Sequence, residues 1–130
     1  MRRAAVVALL AVLVAGCGAP SADLFVAKRT GSVPGAKLEL LVSDGTARCN
    51  EGKPREISSQ QVLEGRLIAK ELETVTQRDI PPEKPAIFGF EVRSQSGTVH
   101  FADRNASPTV LPRIARLVRD IAIGVCGLPR

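Results

Sequence analysis

Three thiols and one imidazole are the side chains of this chain best suited to chemistry: Cys17, Cys49, Cys126 and His100. A histidine acting as general base needs a nucleophile to deprotonate and an acid to orient it. His100 stands in Thr98-Val99-His100-Phe101-Ala102, where alternation turns it away from Val99 and Phe101 and towards solvent. No nucleophile-elbow, zincin or phosphate-loop spacing accompanies it. Glu71 with Glu73, and Asp79 with Glu83, suit solvation of a helix end and a loop better than a glycosidase dyad. The cysteines lack Cys-x-x-Cys spacing and the chain lacks a second histidine, so neither a redox pair nor a zinc site is expected. These residues point to a protein that is not an enzyme and carries no metal or cofactor.

The first of the thiols closes a distinctive segment. Arg2 and Arg3 precede a dozen apolar residues, Ala4 to Ala15. A stable span of the roughly 30 Å hydrocarbon layer takes about 20 residues, so this run is expected to be a secretory leader. Val14-Ala15-Gly16-Cys17 resembles the lipobox of bacterial lipoproteins, with one aliphatic residue, two small ones and the cysteine in its four places. The resemblance implies cleavage between Gly16 and Cys17 and a diacylglyceryl group on the Cys17 sulfur. It often implies a third acyl chain, palmitate or similar, on the amine. One chain binds a bilayer only marginally, whereas several on one residue hold for long times. The expected location is the extracytoplasmic face of the cell membrane, with the bilayer itself a partner. An arginine pair alone is a weak twin-arginine signal, so the general secretory route is expected.

Lipidation also settles the cysteine parity. With Cys17 acylated, Cys49 and Cys126 are left to each other in an oxidising compartment. Closing that loop contributes on the order of 4 kcal/mol in the chain-entropy treatment.

Composition then bounds the mature part. Residues 1–16 form the signal peptide, 17–22 a small, polar, lipidated tether, and 23–130 one domain with one modest core. Of 18 Lys and Arg, 16 remain once Arg2 and Arg3 are removed; against 13 acids the net charge is +3. That suits proximity to anionic headgroups and is far from a nucleic-acid footprint, so no nucleic acid is expected. Trp and Tyr are absent and Phe occurs four times, so the core must be mostly Leu, Val and Ile.

Strand signals come first along the domain. Leu24 to Thr30 reads as a strand, Gly31-Ser32-Val33-Pro34-Gly35 as turn chemistry, and Lys37 to Ser43 as an alternating strand with Leu38, Leu40 and Val42 on one face. Asp44-Gly45 predicts a tight hairpin into Thr46 to Asn50. Ser58, with Gln61 three residues on, predicts a capping box opening a helix that ends near Gln77, before Pro81-Pro82. Its apolar face is expected to hold Val62, Ile68, Ala69, Leu72 and Val75, widened by Leu63 and Leu67. Ala86 to Arg93 and Thr98 to Ala102 predict a second hairpin. Ser107 is the expected cap of a final helix with the stripe Val110, Leu111, Ile114, Leu117, Val118, Ile121 and Val125, opposite a basic face of Arg113, Arg116 and Arg119. Pro112 predicts a kink or a start near that residue. The fold class is α+β: an antiparallel sheet of four or five strands with two helices on one face, in ββ(β)α-ββα order.

The stretch Lys28-Arg29-Thr30-Gly31-Ser32-Val33-Pro34-Gly35, with the alternating strand after it, resembles the Arg-Ser-Gly-Gly-Phe-Ala-Gly opening of emfourin-like inhibitors of thermolysin-type metalloproteases. Phe88-Gly89-Phe90-Glu91-Val92, Val99-His100-Phe101-Ala102-Asp103 and the closing helix follow in the same order. Here Val33 and Pro34 replace the Phe-Ala pair, and the lipid anchor and cysteine pair are additions. Arg48-Cys49-Asn50 and the Cys126-Gly127-Leu128-Pro129-Arg130 end also resemble small lipoproteins of high-GC Gram-positive bacteria. The expected function is therefore a lipid-anchored binding domain of unspecified ligand. The alternatives are a protease inhibitor using the loop Gly31, Ser32, Val33, Pro34 and Gly35, and an accessory subunit docking an envelope complex through Arg113, Arg116 and Arg119 or through an exposed sheet edge.

Overall fold

The computed structural model of the chain describes residues 22–81 and 83–129. Gly16, Cys17 and the rest of the leader and tether up to residue 21 lie outside the described residues. Six strands and two helices follow: β1 (Asp23–Gly31), β2 (Leu38–Ser43), β3 (Thr46–Cys49), β4 (Arg55–Glu56), α1 (Ser59–Val75), β5 (Phe88–Ser94), β6 (Gly97–Ala102) and α2 (Val110–Gly124). All strands join one antiparallel sheet in the order β4-β3-β2-β1-β5-β6. The strand beyond the expected four or five is β4, whose two residues, Arg55 and Glu56, are too few to leave an alternation signal.

Strand β1 is central, and its period of two sets the layers. Phe25, Ala27 and Arg29 face inward, where Ala27 meets Leu40 and Val92 across the register, while Lys28 faces outward between Glu39 and Glu91. The Asp44-Gly45 turn joins β2 to β3 as expected, and the second hairpin closes with Ser94 opposite Gly97. The inner face is completed by Phe90 and Phe101, whose rings stack with centroids 4.9 Å apart.

Helix α1 opens with the expected capping box. The Gln61 backbone N–H donates to Ser58 Oγ at 3.1 Å, and the Ser58 N–H donates to Gln61 Oε1 at 2.9 Å. Its buried face is narrower than expected: Gly65, Ile68, Leu72 and Val75 point inward, whereas Leu63 and Leu67 are 57% and 54% exposed. Gly65 explains this correction. A Cβ there would meet Leu24 Cδ1 at 3.3 Å and Val42 Cγ1 at 3.5 Å, so the helix lies against the sheet at its glycine. Leu63 and Leu67 are each two residues from Gly65, about 200° around the helix, on the far side.

Helix α2 is capped at Thr109, not Ser107, with no side-chain cap bond, after a cis Ser107–Pro108 peptide. Pro112 falls in its first turn, where a backbone N–H has no intrahelical acceptor to lose, so neither kink nor late start is needed. Every member of its stripe from Val110 to Ile121 is buried, with Val125 half-buried at the end.

Cys49 is the last residue of β3 and Cys126 lies just beyond α2; they form a disulfide with Cα atoms 5.9 Å apart. Arg55 adds a second tie, its Nη1 donating to the Val125 carbonyl at 2.8 Å. The bridge encloses a sequence separation of 77 residues. Replacing Cys49 and Cys126 together by serine is expected to cost about 2–4 kcal/mol in urea unfolding. Reduction of the native protein should lower the unfolding midpoint by a comparable amount and leave the double variant unchanged.

Candidate functional site

The inward alternation of β1 that buries Phe25 and Ala27 also buries Arg29, which is 6% exposed. Because Arg29 sits where β1 runs out, its guanidinium reaches under the loop that follows. Nε donates to the Ala36 carbonyl at 2.8 Å and Nη2 to the Gly35 carbonyl at 3.1 Å. The Phe88 ring lies beneath it, 4.8 Å from Cζ to the ring centroid, in cation–π contact. Loop Gly31–Gly35 is thus gripped from below, and a turn bond from the Ala36 N–H to the Val33 carbonyl (3.1 Å) closes it. Gly35 adopts φ +77°, and a Cβ there would meet Pro129 at 3.1 Å, so this position needs glycine twice over.

Between the loop and the end of α2 lies a half-open cleft of about 550 Å³. Val33, Pro34 and Phe88 form one side; Ile123, Gly124 and Pro129 form the other. Arg119 and Asp120 stand at its rim, paired with each other at 3.1 Å. The disulfide helps to place the far wall. Past Cys126 the chain turns back, the Leu128 N–H donates to the Ala122 carbonyl at 2.9 Å, and Pro129 comes to rest against Gly35. Among the described residues, the cleft lining contains guanidinium, carboxylate and apolar groups but no hydroxyl, thiol or imidazole.

Phe88 is held in place by Asp103, just past β6. The Asp103 carboxylate accepts three backbone N–H bonds, from Ala86 (2.8 Å), Ile87 (2.8 Å) and Phe88 (3.0 Å). Burial alone would raise its pKa, but those three bonds and the nearby Arg104 charge outweigh it and hold the group below the usual carboxylate value.

The residues expected to form a basic face have different surroundings, although Arg113 and Arg116 line one groove. Arg113 turns towards α1, with Nε 2.8 Å from Glu64 and Nη1 bonded to Glu71, and those bonds raise its pKa. Arg119 belongs to the cleft rim, and Arg116 is exposed between them. Three-residue steps rotate by about 300°, so Arg113 and Arg119 lie about 120° apart around the helix with Arg116 between them. By contrast, burial pushes the Arg29 guanidinium below its ordinary value, and no carboxylate among the described residues pairs with it.

His100 projects from the outer sheet face, 70% exposed, with Nε2 3.4 Å from Glu91 Oε2. Glu71 serves Arg113, while Glu73, Asp79 and Glu83 are exposed. Among the described residues, no three His, Cys, Asp or Glu side chains come together as a metal site, and no helix is long and apolar enough to cross a membrane. The expected loop and Arg119, the latter read from the sequence as part of a basic face, both contribute to the cleft lining, whereas Arg29 and Asp103 were not among the sequence candidates. The signal for Arg29 was its place in the set Phe25, Ala27, Arg29 at spacing two. Compared with known proteins, the chain matches no family model, no curated protein and no solved structure.

The Asp103 geometry fixes a pH dependence. A carboxylate with a depressed folded-state pKa contributes its stability in full above the unfolded value of about 3.9 and loses it as pH falls through the folded value. Asp103→Asn is expected to cost about 1–3 kcal/mol at neutral pH. Urea midpoints measured below about pH 4 should converge for the two proteins as the native carboxylate is protonated.

Proposed function

We propose that this protein is a lipoprotein held at the extracytoplasmic face of the membrane through acylated Cys17, and that its folded domain acts by binding rather than by catalysis. The observation that carries this reading is the cysteine pairing. The Cys49–Cys126 disulfide accounts for two of three thiols, and the third follows Val14-Ala15-Gly16 at the end of a short apolar run. Five residues, Gly18 to Ala22, separate Cys17 from the first strand. Fully extended they reach about 17 Å, so the domain stays near the headgroups, in keeping with its mild positive charge. A cleft whose described lining is mostly apolar, with the buried Arg29 cation beside it and the Arg119–Asp120 pair at its rim, supports binding as its role.

A second reading, inhibition of a thermolysin-type protease, is favoured by one feature. Val33, at the tip of a loop gripped by Arg29, is 42% exposed, as a rigid reactive loop requires.

Anchorage is tested by expressing the full chain and Cys17→Ser in an acylating bacterial host. The native protein should enter the detergent phase, with an intact mass showing diacylglycerol on Cys17, and the variant should lose both properties. A native product starting at another residue without acyl mass would overturn the reading. Slowing of a thermolysin-type enzyme by the native protein, and its loss in Val33→Asp, would establish the second.

A further inference from the structure

We propose that the cleft between the Gly31–Gly35 loop and the end of α2 binds a carboxylate borne on a compact apolar body, with Arg29 as its anchor. The inference rests on the reading that this domain acts by binding, and it names the ligand class.

The argument begins with the guanidinium. Arginine has five N–H donors. Arg29 spends one on Nε and one on Nη2, both on backbone carbonyls, Ala36 and Gly35. Among the described residues three remain unused, two on Nη1 and one on Nη2, and one from each nitrogen forms the end-on fork that matches a carboxylate with two parallel bonds. Every fully buried side-chain nitrogen or oxygen among the described residues has a partner. Nη1 has no partner among the described residues and so is not fully buried, and the residue lines the cleft.

Charge points the same way. The Arg29 side chain is more than nine-tenths buried, and no described carboxylate neutralises it. The two carbonyls and the Phe88 ring offset only part of the cost of desolvating a full cation. Asp120, the one acid among the described lining residues, is already taken by both Nε and Nη2 of Arg119 at the rim. An incoming anion therefore gains at the floor and meets a neutralised pair at the mouth. Holding the loop alone requires only the donors already used, so the unspent fork and unbalanced charge are what a ligand would complete.

Shape sets the remainder. Val33, Pro34, Ile123 and Pro129 wall a volume of about 550 Å³, inside the roughly 300–1,000 Å³ of small-ligand clefts. These walls suit an aliphatic body. Two sources share this chemistry: the C-terminus of a peptide and a free branched-chain acid.

The test uses the native lipoprotein in zwitterionic micelles, with protein-free micelles as blank. Three probes are titrated by calorimetry and amide NMR: acetyl-Ala-Val-Leu with a free C-terminus, the same peptide amidated, and 4-methylpentanoate. The proposal expects the free-acid peptide, the small acid or both to bind, shifting the amides of Gly35, Ala36, Phe88 and Ile123. It also expects the amidated peptide to bind at least about 10-fold more weakly, as loss of a charge-assisted pair requires. Binding of the peptide acid alone assigns a chain terminus as the source, and binding of the small acid alone assigns a free metabolite. Arg29→Met should remove acid binding, and Arg29→Lys should restore part of it. If Arg29→Met fails to fold, the acid-against-amide comparison on the native protein decides. Equal affinity of acid and amide, shifts confined to another surface, or no binding of any probe at about 5 mM would overturn the proposal. The mass of Cys17 is read on the same sample, so a failed titration and a failed anchor are separate results.

Discussion

A core without tryptophan or tyrosine must close by aliphatic fit, and here the closing contact is α2 laid along the inner face of the sheet. Val110, Leu111, Ile114, Val118 and Ile121 are almost wholly buried, and each is worth about 1.5–3 kcal/mol relative to exposure. Aliphatic side chains give no polar handle to fix orientation, so register comes from elsewhere. Gly65 lets α1 approach the sheet, and Arg113 bridges from α2 to two carboxylates of α1. The disulfide and Arg55 then hold the far end of α2 to β3 and β4. The cleft exists because α2 is pinned there while its neighbour, the Gly31–Gly35 loop, is held independently by Arg29.

The two engaged arginines show how one residue type serves opposite ends. Arg113 is half-buried between two glutamates and has its charge balanced within the protein. Arg29 is more deeply buried and is met by carbonyl dipoles and an aromatic face, neither of which carries a full negative charge. The first arrangement completes a helix pair. The second leaves electrostatic potential directed into a cleft.

Much of this fold was legible in the sequence because local signals agreed with one another. The capping box at Ser58 and Gln61, the Asp44-Gly45 hairpin, the period-two runs around Leu40 and Phe90 and the stripe of α2 each pointed to the element that forms. Where reading failed, packing had overruled pattern. Leu63 and Leu67 looked like an extension of a buried face, yet a glycine was the residue the sheet selected. The pattern of the basic face did not show that two glutamates from another element engage Arg113. Strand β4 is formed by pairing with β3 alone and so leaves no trace in two residues. Of the candidate site, the loop was visible from its glycines and proline. Its anchor was overlooked because an arginine in a strand is ordinarily assigned to the solvent side, even when its parity says otherwise.

The bridge between Cys49 and Cys126 also decides what a protease can remove. It spans α1, the proline-rich connection after it, the second hairpin and α2, so a single cut anywhere in that interval leaves both fragments covalently joined. Shedding from the proposed anchor then requires scission ahead of Cys49. Gly18 to Ala22 precede every described strand, so a cut there would release the domain with its sheet and cleft whole.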